Sequence, residues 1–172
     1  MQHTVVTNAL MEAFVIEGAR PLSGSIRAAG NKNAALPIVA ACLLTDEQVT
    51  LTNVPAITDV ETMLDLAADL GADVERPGGG EVRITGAGIT KHELDAELCS
   101  RIRASILFSG PLLARYGRAV VPPPGGDVIG RRRLDTHIHA LTRLGADVSA
   151  DKVFRMQTAG LRGTRSSLTK PP

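Results

Sequence analysis

Three consecutive arginines, Arg131, Arg132 and Arg133, follow a single acidic side chain, Asp127, at the end of a run of three prolines and two glycines. Guanidinium forks beside a helix start are suited to phosphate or carboxylate oxygens, because side-chain donors and backbone N–H groups converge there. Pro122, Pro123 and Pro124 fix φ and end the strand that Ala119, Val120 and Val121 begin, while Gly125 and Gly126 permit a sharp turn. Asp127 is the best proton-transfer candidate in the chain, since a turn shut away from water would raise its pKa enough for it to act as an acid. The alternative for Asp127 is a turn aspartate satisfying backbone N–H groups.

Two further cations suggest the same chemistry. Gly30-Asn31-Lys32-Asn33 reads as a strand ending in a tight turn that opens a helix, which sets Lys32 beside free N–H groups; a solvated turn lysine is the alternative. Arg103 occupies the corresponding place in a second, similar unit, and alone would read as a surface arginine. His137 and His139 are two residues apart and so fall on different faces of a helix, which excludes ligation of one metal by both; no metal site and no cofactor is expected. No serine sits in a nucleophile elbow, so a Ser/His/Asp triad has no support. Pro77-Gly78-Gly79-Gly80 lacks a following helix with Lys-Ser/Thr and reads as a hairpin turn, not a phosphate loop.

The elements that must hold these groups repeat. Thr62 to Val74 (TMLDLAADLGADV) matches Thr136 to Val148 (THIHALTRLGADV) at an offset of 74, and upstream Ala35, Leu43, Leu44, Leu51 and Pro55 match Ala104, Leu112, Leu113, Val120 and Pro124 at 69. The extra residues fall in the turn of Asp127 and the arginines, where an insertion between repeats commonly carries function. In the first unit, periodicity predicts a helix over 34–44, a strand over 48–53, a helix over 59–70 and strands over 72–75 and 81–85. In the second it predicts a helix over about 100–116, a strand over 118–121, a helix over about 134–144 and strands near 146–149 and 153–158. Amphipathic helices on one side of a sheet give a layered α/β core.

Composition narrows the function classes. The chain has 172 residues, 44% hydrophobic and 22% charged, with 19 basic against 18 acidic side chains, so no global field draws it to nucleic acid or to an anionic membrane. One Tyr, three Phe and no Trp leave few rings for base or sugar stacking. Cys42 and Cys99 lie far apart in apolar runs and read as buried, reduced thiols. The N-terminus has no secretory pattern and no apolar stretch is long enough to span a bilayer, so a cytoplasmic protein is expected.

Four segments together, PLSGSIRAAGNKNAALPI (Pro21 to Ile38), NVPAITDV (Asn53 to Val60), RASILFSGPLLAR (Arg103 to Arg115) and PGGDVIGRRRLDTHI (Pro124 to Ile138), resemble the UDP-N-acetylglucosamine 1-carboxyvinyltransferases, a family of enolpyruvyl transferases. The resemblance runs over about residues 12–165. It implies an α/β (α+β) fold of repeated βαβαββ units in an inverse α/β barrel, with two of the six units present. It implies that residues 1–30 pair with a second domain, that 31–98 and 99–165 are the first and second units, and that 166–172 is a divergent tail, where Lys170 only loosely matches a ligand lysine.

The same resemblance implies transfer of enolpyruvyl from phosphoenolpyruvate to the 3′-hydroxyl of UDP-N-acetylglucosamine, the first committed step of peptidoglycan precursor synthesis. Lys32, Arg103 and Arg132 would bind phosphoenolpyruvate. Asn33, Arg103, Arg132, Arg133, Leu134, Asp135 and Thr136 would bind the sugar nucleotide, and the run of three arginines leaves the loop arginine open by one position. Asp127 stands where many members carry a reactive cysteine, and would be the proton donor in its place; resistance to epoxide antibiotics of the fosfomycin type follows. Members have two domains of three units, so a chain of this length is expected to lack turnover. A nucleotide-sugar-binding module without catalysis, or one half of a split enzyme, is the alternative, with a complementing second half or self-association as partner.

Overall fold

The computed structural model describes residues 6–8, 11–13, 18, 21–126 and 134–165. Strands β1 (Val6–Asn8) and β2 (Met11–Ala13) pair antiparallel. The first unit then runs α1 (Lys32–Cys42), β3 (Gln48–Leu51), α2 (Thr58–Asp69), β4 (Asp73–Gly78) and β5 (Glu81–Thr85). The second runs α3 (Ala96–Arg101), a 3-10 helix over Arg103–Phe108, α4 (Ser109–Tyr116), β6 (Arg118–Val121), α5 (Asp135–Arg143), β7 (Asp147–Ala150) and β8 (Phe154–Gln157). Each unit closes in a three-stranded antiparallel sheet with its hairpin's second strand in the middle, β3-β5-β4 and β6-β8-β7. The repeat read from sequence is thus a repeat of topology, in an α+β fold with small sheets. The second sheet gains a parallel bridge from Glu93 to Val120, with Val120 N–H donating to His92 O at 2.8 Å and Leu94 N–H to Val120 O at 3.0 Å.

Three local expectations are corrected. No strand leads into the Lys32 turn: residues 21–30 carry no regular structure, and Leu22 and Ile26 are 94% and 96% exposed. The first helix begins at Lys32, two residues earlier than apolar periodicity places it, because Asn31 caps it by accepting from Ala34 N–H at 3.0 Å. The predicted helix over 100–116 is broken at Ile102, whose φ of −141° and ψ of 132° are extended. Beyond the break the buried hydroxyls of Ser105 and Ser109 donate to Ile102 O at 3.0 Å and Ile106 O at 2.6 Å, local bonds that compete with the α-helical ladder.

The helices share one core. Every apolar position that periodicity assigns to the inner face of α2, namely Val60, Met63, Leu64, Ala67 and Leu70, is fully buried, against α1, α3 and the 3-10 helix. The matching helix of the second unit, α5, buries none of its residues, although Ile138 and Leu141 pack on the core's edge. The hairpin read at Pro77 to Gly80 is present, with Gly78 pairing Glu81. Among the described residues no helix is long and apolar enough to cross a membrane.

Candidate anion-binding cleft

The N-terminus of α1 forms one wall. Gly30 lies so close beneath the Asn53 carbonyl and the Pro55 ring that a Cβ there would overlap them, which ties the Lys32 turn to the loop leading into α2. Asp59, in the first turn of α2, then meets Lys32: Oδ2 accepts from Nζ at 2.7 Å. Both partners are well exposed, 43% and 36%, so the pair adds little stability; its effect is to aim the ammonium. Alpha-helix α1 has no acidic residue in its first turn, and its N-terminal peptide dipoles add positive potential at the same end.

Arg103 opens the 3-10 helix on the facing wall, and the loop bearing Pro122 to Gly126 is fastened beside it. Gly125 N–H donates to Cys99 O at 2.9 Å, beside Ile102 N–H at 3.3 Å, and Gly126 N–H donates to Ser100 O at 3.3 Å, so the loop adds donors to the terminal carbonyls of α3. Gly125 sits against the Ser100 carbonyl with no room for a side chain. Between the walls is an open cleft of about 530 Å³, lined by Lys32, Asn33, Asp59, Arg103, Gly126 and His137 among others.

Lys32, Asn33 and Arg103, separated by 70 residues of sequence, are therefore brought together. Asp127, Arg131, Arg132 and Arg133 lie outside the described residues; Gly126, the neighbour of Asp127, lines the cleft. Leu134 is buried, while Asp135 and Thr136 are exposed on the first turn of α5, and none of the three lines the cleft; His137, one step on, does. Sequence reasoning assigned no role to Asp59, His137, Ser100 or Arg101, all of which line it. Asp59 was within a quoted motif, but only a fold could show that it meets a lysine 27 residues away. Arg101 is held by Glu97 one turn earlier on α3. The lining thus carries Lys32, Arg101 and Arg103 against Asp59, a local excess of positive charge in a chain whose net charge is +1.

Both thiols lie outside this chemistry. Cys99 is buried, and burial pushes its pKa up to about 11; burial raises that of Cys42 too. Their contribution to stability is fully present below the ordinary thiol range, and is lost as pH rises through it towards about 11, because the unfolded thiols ionise first. Neither cysteine is expected to react with an aromatic disulfide reagent at pH 8 in the native protein, and both should react in urea. A fast native reaction would contradict this burial.

Repeated helix-and-sheet units with a cationic cleft between the helix starts define an enolpyruvyl transferase fold. The enolpyruvyl transferase NikO from Streptomyces tendae superposes with a TM-score of 0.70 over 84% of this chain and 32% of that one, at 22% identity. An EPSP synthase from Acinetobacter baumannii superposes at 0.61 over 87% of this chain and 35% of its own, at 21% identity. At such identities the likeness concerns fold alone. The chain belongs to the EPSP synthase (3-phosphoshikimate 1-carboxyvinyltransferase) family, whose model matches residues 16–169. Curated relatives named UDP-N-acetylglucosamine 1-carboxyvinyltransferase, from Bradyrhizobium diazoefficiens and Treponema pallidum, are each 52% identical over 158 and 153 residues. Those matches cover 92% and 89% of this chain but 37% and 36% of the relatives, so the chain spans little more than a third of their length.

Proposed function

We propose that this chain supplies one wall of an active site that transfers the enolpyruvyl group of phosphoenolpyruvate to UDP-N-acetylglucosamine. The observation that carries the reading is the convergence of Lys32, Asn33 and Arg103 on one cleft that Gly126, the residue before Asp127, also lines. Lys32, Arg103 and Arg132 hold the phosphate and carboxylate of phosphoenolpyruvate, and Asn33 binds the sugar. Arg132, with Arg133, Leu134, Asp135 and Thr136 largely through backbone, binds the nucleotide portion. Asp127 gives a proton to the methylene carbon of phosphoenolpyruvate, which makes the adjacent carbon electrophilic. The sugar hydroxyl adds there, passing its own proton to a base or to water, to form a tetrahedral intermediate, which then loses phosphate and one proton of the new methyl group to restore the methylene. Fosfomycin resistance follows from the carboxylate at position 127, and a cytoplasmic location from where these substrates are made.

Two measurements test the reading. Calorimetry of the 172-residue chain with UDP-N-acetylglucosamine and with phosphoenolpyruvate is expected to show saturable binding, weakened at least about tenfold by Lys32→Ala, the loss of one charge-assisted contact. Phosphate release from phosphoenolpyruvate, with and without the sugar nucleotide, reads turnover. Absence of both binding and release would overturn the assignment; binding without release would place this chain as the recognition wall alone.

A further inference from the structure

Two helical rods carry the cleft's principal cations at their heads. The first is α1, with Lys32 at its first position and Leu43 as its C-cap. The second is the 3-10 helix continuing into α4, with Arg103 at its head and Arg115 in its last turn. At the tails, opposite the cleft, Arg115 reaches across to the first unit. Its Nη1 donates to Leu43 O at 2.9 Å, Thr45 O at 3.3 Å and Gly86 O at 3.4 Å, and its Nη2 pairs with Asp46. The guanidinium carbon lies 5.0 Å from the centre of the Tyr116 ring, and only 16% of the side chain is exposed.

We propose that Arg115 is a positioning residue for the anion cleft, acting through the axial register of these two rods. This rests on the reading of the cleft as the substrate site. Alpha-helix α1 has no basic residue in its own last turn, and while Leu43 and Leu44 N–H groups cap Ala40 O and Ala41 O, the positive charge at this end and the donor to the C-cap carbonyl of Leu43 come from the other unit. One planar fork satisfying acceptors from α1, the turn after it and the loop at Gly86 fixes where α4 stands along α1. Because each rod is continuous from tail to head, sliding at the tails is transmitted to the axial offset between Lys32 and Arg103 at the heads. A misplacement of about 1 Å costs about a hundredfold where two groups must meet one ligand.

The test is a comparison of wild type with Arg115→Met and Arg115→Lys at a temperature where circular dichroism shows each folded. Calorimetry with phosphoenolpyruvate is expected to give about tenfold weaker binding for Arg115→Met. Combining it with Lys32→Ala should add little to the loss from Lys32→Ala alone, since both remove the same two-point contact. A second readout needs no ligand: nitroxide labels on cysteines replacing Lys32 and Arg103 should give a narrow spin–spin distance distribution that broadens when Arg115 becomes Met. If Arg115→Met does not fold, Arg115→Lys is expected to show both effects at smaller amplitude, because an ammonium cannot span the same carbonyls. Unchanged label distances in a folded variant overturn the proposal. So do additive binding losses. Failure of wild type to bind, with label distances that still broaden, would sink the assignment of the cleft and leave the positioning role standing.

Discussion

Gly125→Ala is expected to detach the loop ahead of Asp127 from α3 and to lower stability by about 2–4 kcal/mol, from two lost backbone hydrogen bonds and the Ser100 carbonyl left without its loop donor. The cause is contact with backbone: the new Cβ would overlap the Ser100 carbonyl, and α3 has no flexible side-chain end to yield there. The Gly125 bond to Cys99 O and the Gly126 bond to Ser100 O would go together, since both depend on the loop lying flat against that turn. A urea melt reads the stability loss, and the amide signal of Arg103 reads the loosened wall. Gly110→Ala is the control: it lies in α4 with open space around its would-be Cβ, so it should be neutral or stabilising by up to about 1 kcal/mol. Equal midpoints for wild type and Gly125→Ala would show that the loop is not seated on α3.

What the sequence made legible divides along a physical line. The two units and their hairpins follow from local periodicity and from self-similarity, both of which are written in short stretches of chain. The first helix is earlier than expected because the reading followed apolar residues, whereas the boundary is set by Asn31 accepting from Ala34 N–H. The break at Ile102 was hidden for a related reason. Ile102, Ile106 and Phe108 are all buried and suit a continuous helix, and nothing in the residue order announces that Gly125 and Gly126 arrive to take the last carbonyls of α3. Asp59 against Lys32 and Arg115 against Leu43 are contacts 27 and 72 residues apart, set by how α1 and α2 pack within the first unit and by how the two units pack together. The contrast between α2 and α5 is of the same origin: equivalent apolar stripes, one buried beneath the other unit and one at the edge of the core.

Asp127→Cys is expected to convert a chain inert to fosfomycin into one that takes up a single adduct. An epoxide is opened when a nucleophile forms a bond to one ring carbon as that carbon's bond to oxygen breaks, the alkoxide then taking a proton. A thiolate does this far faster than a carboxylate, whose charge is spread over two strongly hydrated oxygens. The cationic lining contributed by Lys32 and Arg103 would hold the phosphonate and lower the pKa of a thiol beside it, and Gly126, the residue before 127, lines the cleft. Cys42 and Cys99 do not compete, because both are buried and burial raises their pKa values. Intact mass spectrometry should therefore show no adduct on wild type and one on Asp127→Cys, mapped to residue 127. Adding Lys32→Ala to Asp127→Cys should slow the reaction at least about tenfold, by removing one charge-assisted contact to the phosphonate. Stoichiometric alkylation of wild type at Asp127 would defeat the resistance argument. An adduct on Asp127→Cys whose rate ignores Lys32 would mean that residue 127 is reactive without being part of the anion site.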